Sequence, residues 1–154
     1  MIQRIQTIYL LIAEILIGTL FFVPLAEITG KEGILYRFQI QGIFMEGLPG
    51  SGVNLSSWPL IILLVLSIIL ILVTTFMFRN RILQMRLAKI AVFTLVALSV
   101  LIYYYVISVT KILAGHYSMS IFSVILVIAP ILVYLAIRAI KKDELLVRSI
   151  DRIR

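Results

Sequence analysis

The chain has 154 residues, of which 62% are hydrophobic and only 14% charged, and its mean hydropathy is +1.16. Soluble domains sit near 45–50% apolar and about 25% charged, so an ordinary soluble domain, a disordered chain and a coiled coil are all excluded. At roughly 20 residues per crossing, the apolar content has room for four membrane helices.

In chain order, the first predicted crossing covers about 5–26. Its 13 Leu, Ile, Phe and Val residues contribute roughly −4 to −8 kcal/mol to insertion, and its one charge, Glu14, costs about +2.5 to +3.5 kcal/mol. The apolar run is longer than a signal-peptide core and no A-x-A site follows, so it reads as a retained helix. Phe21-Phe22-Val23-Pro24 marks its interfacial end.

The loop at about 27–57 comes next. Ile34–Gln41 alternates, with Tyr36, Phe38 and Ile40 on one side and Arg37, Gln39 and Gln41 on the other, the period of a half-buried strand. Thr29–Gly33 has the composition of a hairpin tip, and Leu25–Thr29 can return as the second strand. Two strands alone are marginal, so the apolar side requires cover from the helices, a membrane surface or a partner.

Further crossings are expected at about 58–78, 88–110 and 119–140. The charge-free runs are 32 residues between Glu46 and Arg79, 21 between Lys89 and Lys111, and 26 between Lys111 and Arg138. Trp58-Pro59 opens helix two with an interfacial anchor and a first-turn proline. Arg79-Asn80-Arg81 is a short basic turn, and the stretch from Lys111 to Ser118 is too short for a domain. Pro130 removes one hydrogen bond from helix four. The tail 141–154, with apolar Leu146, Ile150 and Ile153, predicts an amphipathic helix lying on the cytoplasmic surface.

The net charge of +7 is unevenly distributed. With four crossings, 11 of the 14 basic residues fall on one side, leaving only Lys31, Arg37 and Lys111 opposite. That asymmetry predicts cytoplasmic N- and C-termini and attraction to membrane lipids, with no nucleic-acid role. The absence of cysteine excludes disulfides and thiolate chemistry.

Glu14 is the residue that most needs explaining, since an ionisable group near the midplane is a functional-site hypothesis by default. Ser67 and Ser99 fall at a similar depth. Three explanations stand: a proton-handling carboxylate, a neutral Glu14 hydrogen-bonded to Ser67, Ser99 or a tyrosine, or a contact with a partner subunit. His116 lacks companion ligands, and Tyr103-Tyr104-Tyr105 are interfacial anchors. Glu27, Glu32 and Glu46 form no acid–base pair. With no phosphate loop, hydrolase, zinc or dinucleotide signature, no catalytic, cofactor or metal site is expected. Gly18 alone lies well inside a helix, so no GxxxG face is expected.

The opening MIQRIQTIYLLIA (Met1–Ala13), the closing KDELLVRSIDRIR (Lys142–Arg154) and the FFxPL-like end of helix one resemble an uncharacterised family of small four-helix bacterial inner-membrane proteins. The family is described only as a domain of unknown function. The resemblance implies four crossings, cytosolic termini and an outer β-like loop, and carries no reaction, substrate or cofactor. Both signature segments share the cytoplasmic face, where Gln3, Arg4, Gln6, Arg148, Asp151 and Arg152 form a candidate docking surface.

The expectation is therefore an all-α membrane protein in one domain, 1–154, with four transmembrane helices, a small outer hairpin and a surface helix. Its expected function is a non-enzymatic accessory or structural subunit of an inner-membrane complex, partnered by other integral membrane proteins. The alternative is a small oligomeric transporter or proton-coupled channel using Glu14.

Overall fold

A computed structural model describes residues 5–31, 33–46, 56–77 and 80–151, of which 146–151 are described by backbone alone. The described residues form four α-helices, a short 3-10 turn and a small antiparallel sheet. Helix α1 (Ile5–Thr19) buries Gln6, Leu10, Ala13 and Ile17, a stripe at the spacing of one helical face. Leu20, Phe21 and Phe22 then donate to the carbonyls three residues back, which tightens the last turn. The helix therefore stops well short of the expected residue 26. Pro24 disfavours helical backbone at Val23, and Leu25 leaves to hydrogen-bond Phe38 and Ser120.

Helix α2 (Trp58–Phe76) begins as expected, with Pro59 in its first turn. Helix α3 (Arg81–Ile112) has 32 residues, about 48 Å at 1.5 Å per residue. It starts seven residues before the expected 88. Hydropathy marks only the apolar part, whereas RILQMRLAK is rich in strong helix formers that extend the helix beyond it. Helix α4 (Ile125–Asp151) follows a 3-10 turn at Ile121–Val124 and runs unbroken through the start of the tail. No separate surface helix begins at 141; the amphipathic stretch continues α4.

Each helix packs on two neighbours, α1 on α4 and α2, and α3 on α4 and α2. Their shared core is filled by Leu, Ile, Val and Ala side chains. Buried Ala88, Ala91, Ala129 and Ala136 line the α3 and α4 seams, where small residues allow close backbone approach. Trp58–Phe76, Arg81–Ile112 and Ile121–Leu145 are each long and apolar enough to cross a membrane, while α1 is a shorter apolar helix.

The sheet exceeds the expected hairpin. Strands β1 (Ala26–Thr29), β2 (Leu35–Gln39), β3 (Gly42–Met45) and β4 (His116–Met119) lie in the order β3-β2-β1-β4, all antiparallel. The alternation over 34–41 predicted one long strand, but Ile40-Gln41 turn the chain and Gly42 opens β3. The short loop after α3 supplies β4, pairing Thr29 with His116 and Ala26 with Met119. One side of the sheet carries Ala26, Ile28, Phe38 and Ile43, buried in the same core cluster as Leu20, Leu60 and Val106. The helices thus cover the apolar side, and no partner is required for it.

Gly115 makes this closure possible. A Cβ on Gly115 would stand 1.9 Å from the Thr29 carbonyl oxygen, so only glycine lets β4 meet β1 here. Ala114 just before it has φ +46°. Ala114 and Gly115 donate to Lys111 and Thr110, the paired bonds of a Schellman stop. The usual glycine position is taken by Ala114, and glycine stands one residue later, where the close contact requires it.

Candidate functional site

Glu14 sits on the flank of α1, half-buried, between core residues Ala13 and Ile17 and the exposed Leu11 and Ile15. Leu11, Glu14, Ile15 and Gly18 share one face of the helix, and a Cβ at Gly18 would meet nothing within 4 Å. One of the three explanations for Glu14, a hydrogen bond to Ser67, Ser99 or a tyrosine, is not seen among the described residues. Ser67 Oγ donates to Leu63 O at 2.8 Å and Ser99 Oγ to Leu95 O at 2.9 Å. Both serines satisfy helix carbonyls in place of the carboxylate. No hydrogen bond from a described residue reaches Glu14.

Ser99 instead serves Pro130. A proline at 130 cannot donate to the carbonyl of Leu126, and Ser99 Oγ lies 3.2 Å from that oxygen. The α3 hydroxyl compensates the bond that α4 lacks, a pairing that neither sequence segment reveals alone.

At the end of the helices opposite the sheet, two amides lie inside. Gln84 is 2% and Gln6 3% exposed. Gln84 Nε2 donates to Thr74 O at 3.0 Å, satisfying a carbonyl in the last turn of α2. The Oε1 atoms of both glutamines have no hydrogen-bond partner. Gln6 was expected on a docking surface; it faces the core because it continues the Leu10–Ala13–Ile17 stripe. Gln3, Arg4 and Arg152 lie outside the described residues, as do the side chains of Arg148 and Asp151. Gln84, in the first turn of α3, was missed by sequence reasoning.

The sheet end is internally paired. Arg37 forms an ion pair with Glu46 and stands opposite Glu27 across β1 and β2. Tyr105 Oη donates to Ser56 O at 3.0 Å, tying α3 to the segment before α2. A hydrogen bond with Tyr103 holds the Tyr117 phenol above its ordinary pKa. Exposed His116 is an edge-strand residue. Among the described residues no three His, Cys, Asp or Glu side chains come together as a metal site.

These features define a mostly helical protein, with three helices of membrane-spanning length and a small sheet sealing one end. The chain belongs to the family described as Domain of unknown function (DUF4293), whose model matches residues 2–153. It is thus a member of an uncharacterised family. No curated protein matches it.

Proposed function

We propose that this protein is a non-enzymatic integral membrane subunit that binds another membrane protein through the outer face of α1. In this view α1, with its tightened last turn, is the fourth crossing of a bacterial cytoplasmic membrane. The N-terminus, the α2–α3 turn and the C-terminal end of α4 face the cytoplasm, which agrees with the basic excess at that end.

The observation that carries the proposal is the state of Glu14. A carboxylate on an apolar helix is costly without a donor, and no described residue supplies one. Its neighbours Leu11 and Ile15 are 43% and 67% exposed, and Gly18 leaves room for close helix approach. In this reading a donor on a neighbouring membrane helix of another chain meets Glu14. The packed core between the four helices argues against a conduction path through one copy.

The test is purification of tagged protein at native expression in mild detergent, with wild type compared to Glu14→Gln and Glu14→Leu. We expect a stoichiometric membrane partner that Glu14→Leu releases and Glu14→Gln, which still hydrogen-bonds, partly retains. Recovery alone or only as a homo-oligomer, with a proton flux in liposomes abolished by Glu14→Gln, would overturn it in favour of the transporter.

A further inference from the structure

The basic end of the molecule contains a formed hollow. Between the first turns of α3 and the second half of α4 lies a groove of about 810 Å³ whose rim carries Lys89, Arg138, Lys141 and Lys142. One carboxylate, Glu144, shares the lining. None of the four cations has an ion pair with a described residue. Four cations from two helices thus share one space with a single carboxylate among its lining residues.

Part of its lining is apolar, with Ile82 and Met85 of α3 facing Ile137 and Leu145 of α4, and Tyr134 lines it as well. A site for a soluble anion has no use for such a lining; a site for an amphiphile does. The depth also fits. Arg81 Nη1 reaches Asp143 O at 2.9 Å and Ser99 Oγ reaches Leu126 O at 3.2 Å, which fixes the antiparallel register of α3 and α4. In that register Lys89 lies level with Leu135–Ala136, about 10 Å further along the helices than Lys142. Lys89 is the last charge before the uncharged run of α3, and Arg138 the first after that of α4. The cations thus mark the edge of the apolar belt, where lipid phosphates lie.

The α3 stripe continues past the groove. Phe93, Val96, Val100 and Tyr104 follow Ile82, Met85 and Lys89 at three- and four-residue spacing, on one face. They line a second, almost wholly apolar hollow of about 460 Å³.

We propose that the α3–α4 groove is a specific binding site for one anionic diacyl phospholipid. Its phosphate is held by Lys89, Arg138, Lys141 and Lys142, and one acyl chain lies along Phe93, Val96, Val100 and Tyr104. The proposal rests on the membrane-spanning placement of α3 and α4, and is independent of the Glu14 contact. Arg86 provides an internal control, being an exposed cation of the same end of α3 that does not line the groove.

The experiment is native mass spectrometry of the full chain in detergent, titrated with phosphatidylglycerol or with phosphatidylcholine of the same acyl chains. Phosphatidylglycerol is expected to bind at least about tenfold more tightly, each cation contributing roughly a factor of five. Lys89→Gln is expected to weaken it by about that factor. Arg138→Gln/Lys141→Gln/Lys142→Gln should weaken it by roughly a hundredfold, to within about fivefold of phosphatidylcholine, and Arg86→Gln should leave it unchanged. Equal binding of the two lipids, an unaffected triple variant, or an equal loss in Arg86→Gln would overturn the site. Displacement of phosphatidylglycerol by millimolar inorganic phosphate would also overturn it, showing a bare anion site. Carbonate extraction of the same membranes separates the two failures: release of the protein would refute the membrane placement, whereas retention without lipid preference would refute only the groove.

Discussion

The two ends of the helices are built on opposite plans. At the sheet end the strands are paired edge to edge, the apolar side of the sheet enters the helical core, and Arg37 meets Glu46. At the basic end the Oε1 atoms of Gln6 and Gln84 have no partner among the described residues, and four cations line a groove. Among the described residues, the buried side-chain polar atoms without a partner, Gln6 Oε1 and Gln84 Oε1, both lie at the second end. Buried polar groups tend to be satisfied in native structures, so the difference separates a structural end from one built to meet lipid or protein.

The contrast can be broken most strongly at Phe38, which is 1% exposed where the sheet meets the helices. Phe38→Ala is expected to cost about 3–5 kcal/mol, read as lowered thermal stability in detergent. Wild-type stability would show that the sheet is an appendage and the closed end an illusion. Gly115→Ala comes next, because its Cβ would lie 1.9 Å from the Thr29 oxygen. It should cost about 1–3 kcal/mol and speed hydrogen exchange in β4, and unchanged exchange would refute the close approach.

The smallest effect lies between the two ends. Ser99→Ala should cost about 0.6 kcal/mol, up to about 1.7, by leaving the Leu126 carbonyl without a donor. A Pro130→Ala background restores the backbone donor, so the same serine change should then cost less. Equal costs in the two backgrounds, measured as a double-mutant cycle, would sever Ser99 from Pro130.

Much of the architecture is legible in the residue order because it depends on local chemistry. Long charge-free runs mark α2, α3 and α4, and alternation over Tyr36, Phe38 and Ile40 predicts the buried side of β2. Boundaries were harder. Hydropathy does not see that α3 continues into Arg81–Ala88, since helical backbone persists wherever good helix formers follow one another. Nor does it see α4 continue past 140 or α1 stop at Thr19, where Leu25 is drawn into pairing with Phe38 and Ser120.

The site was less legible than the fold. Glu14 stood out because one charge in an apolar run is visible by itself. That Ser67 and Ser99 donate to backbone instead depended on their distances to Leu63, Leu95 and Leu126. Gln6 looked like a surface group in a polar terminus, yet its helical phase with Leu10 turned it inward. The cations were read from sequence as a topological excess, but their convergence on one groove requires the register of α3 against α4. By itself, then, the order of residues determined which segments are apolar, which are helical and which end is basic, because those follow from composition and short-range periodicity. Only the tertiary structure decided that β4 closes the sheet, that Ser99 answers Pro130 and that Glu14 has no described donor, because each depends on groups far apart in the chain and brought together by packing.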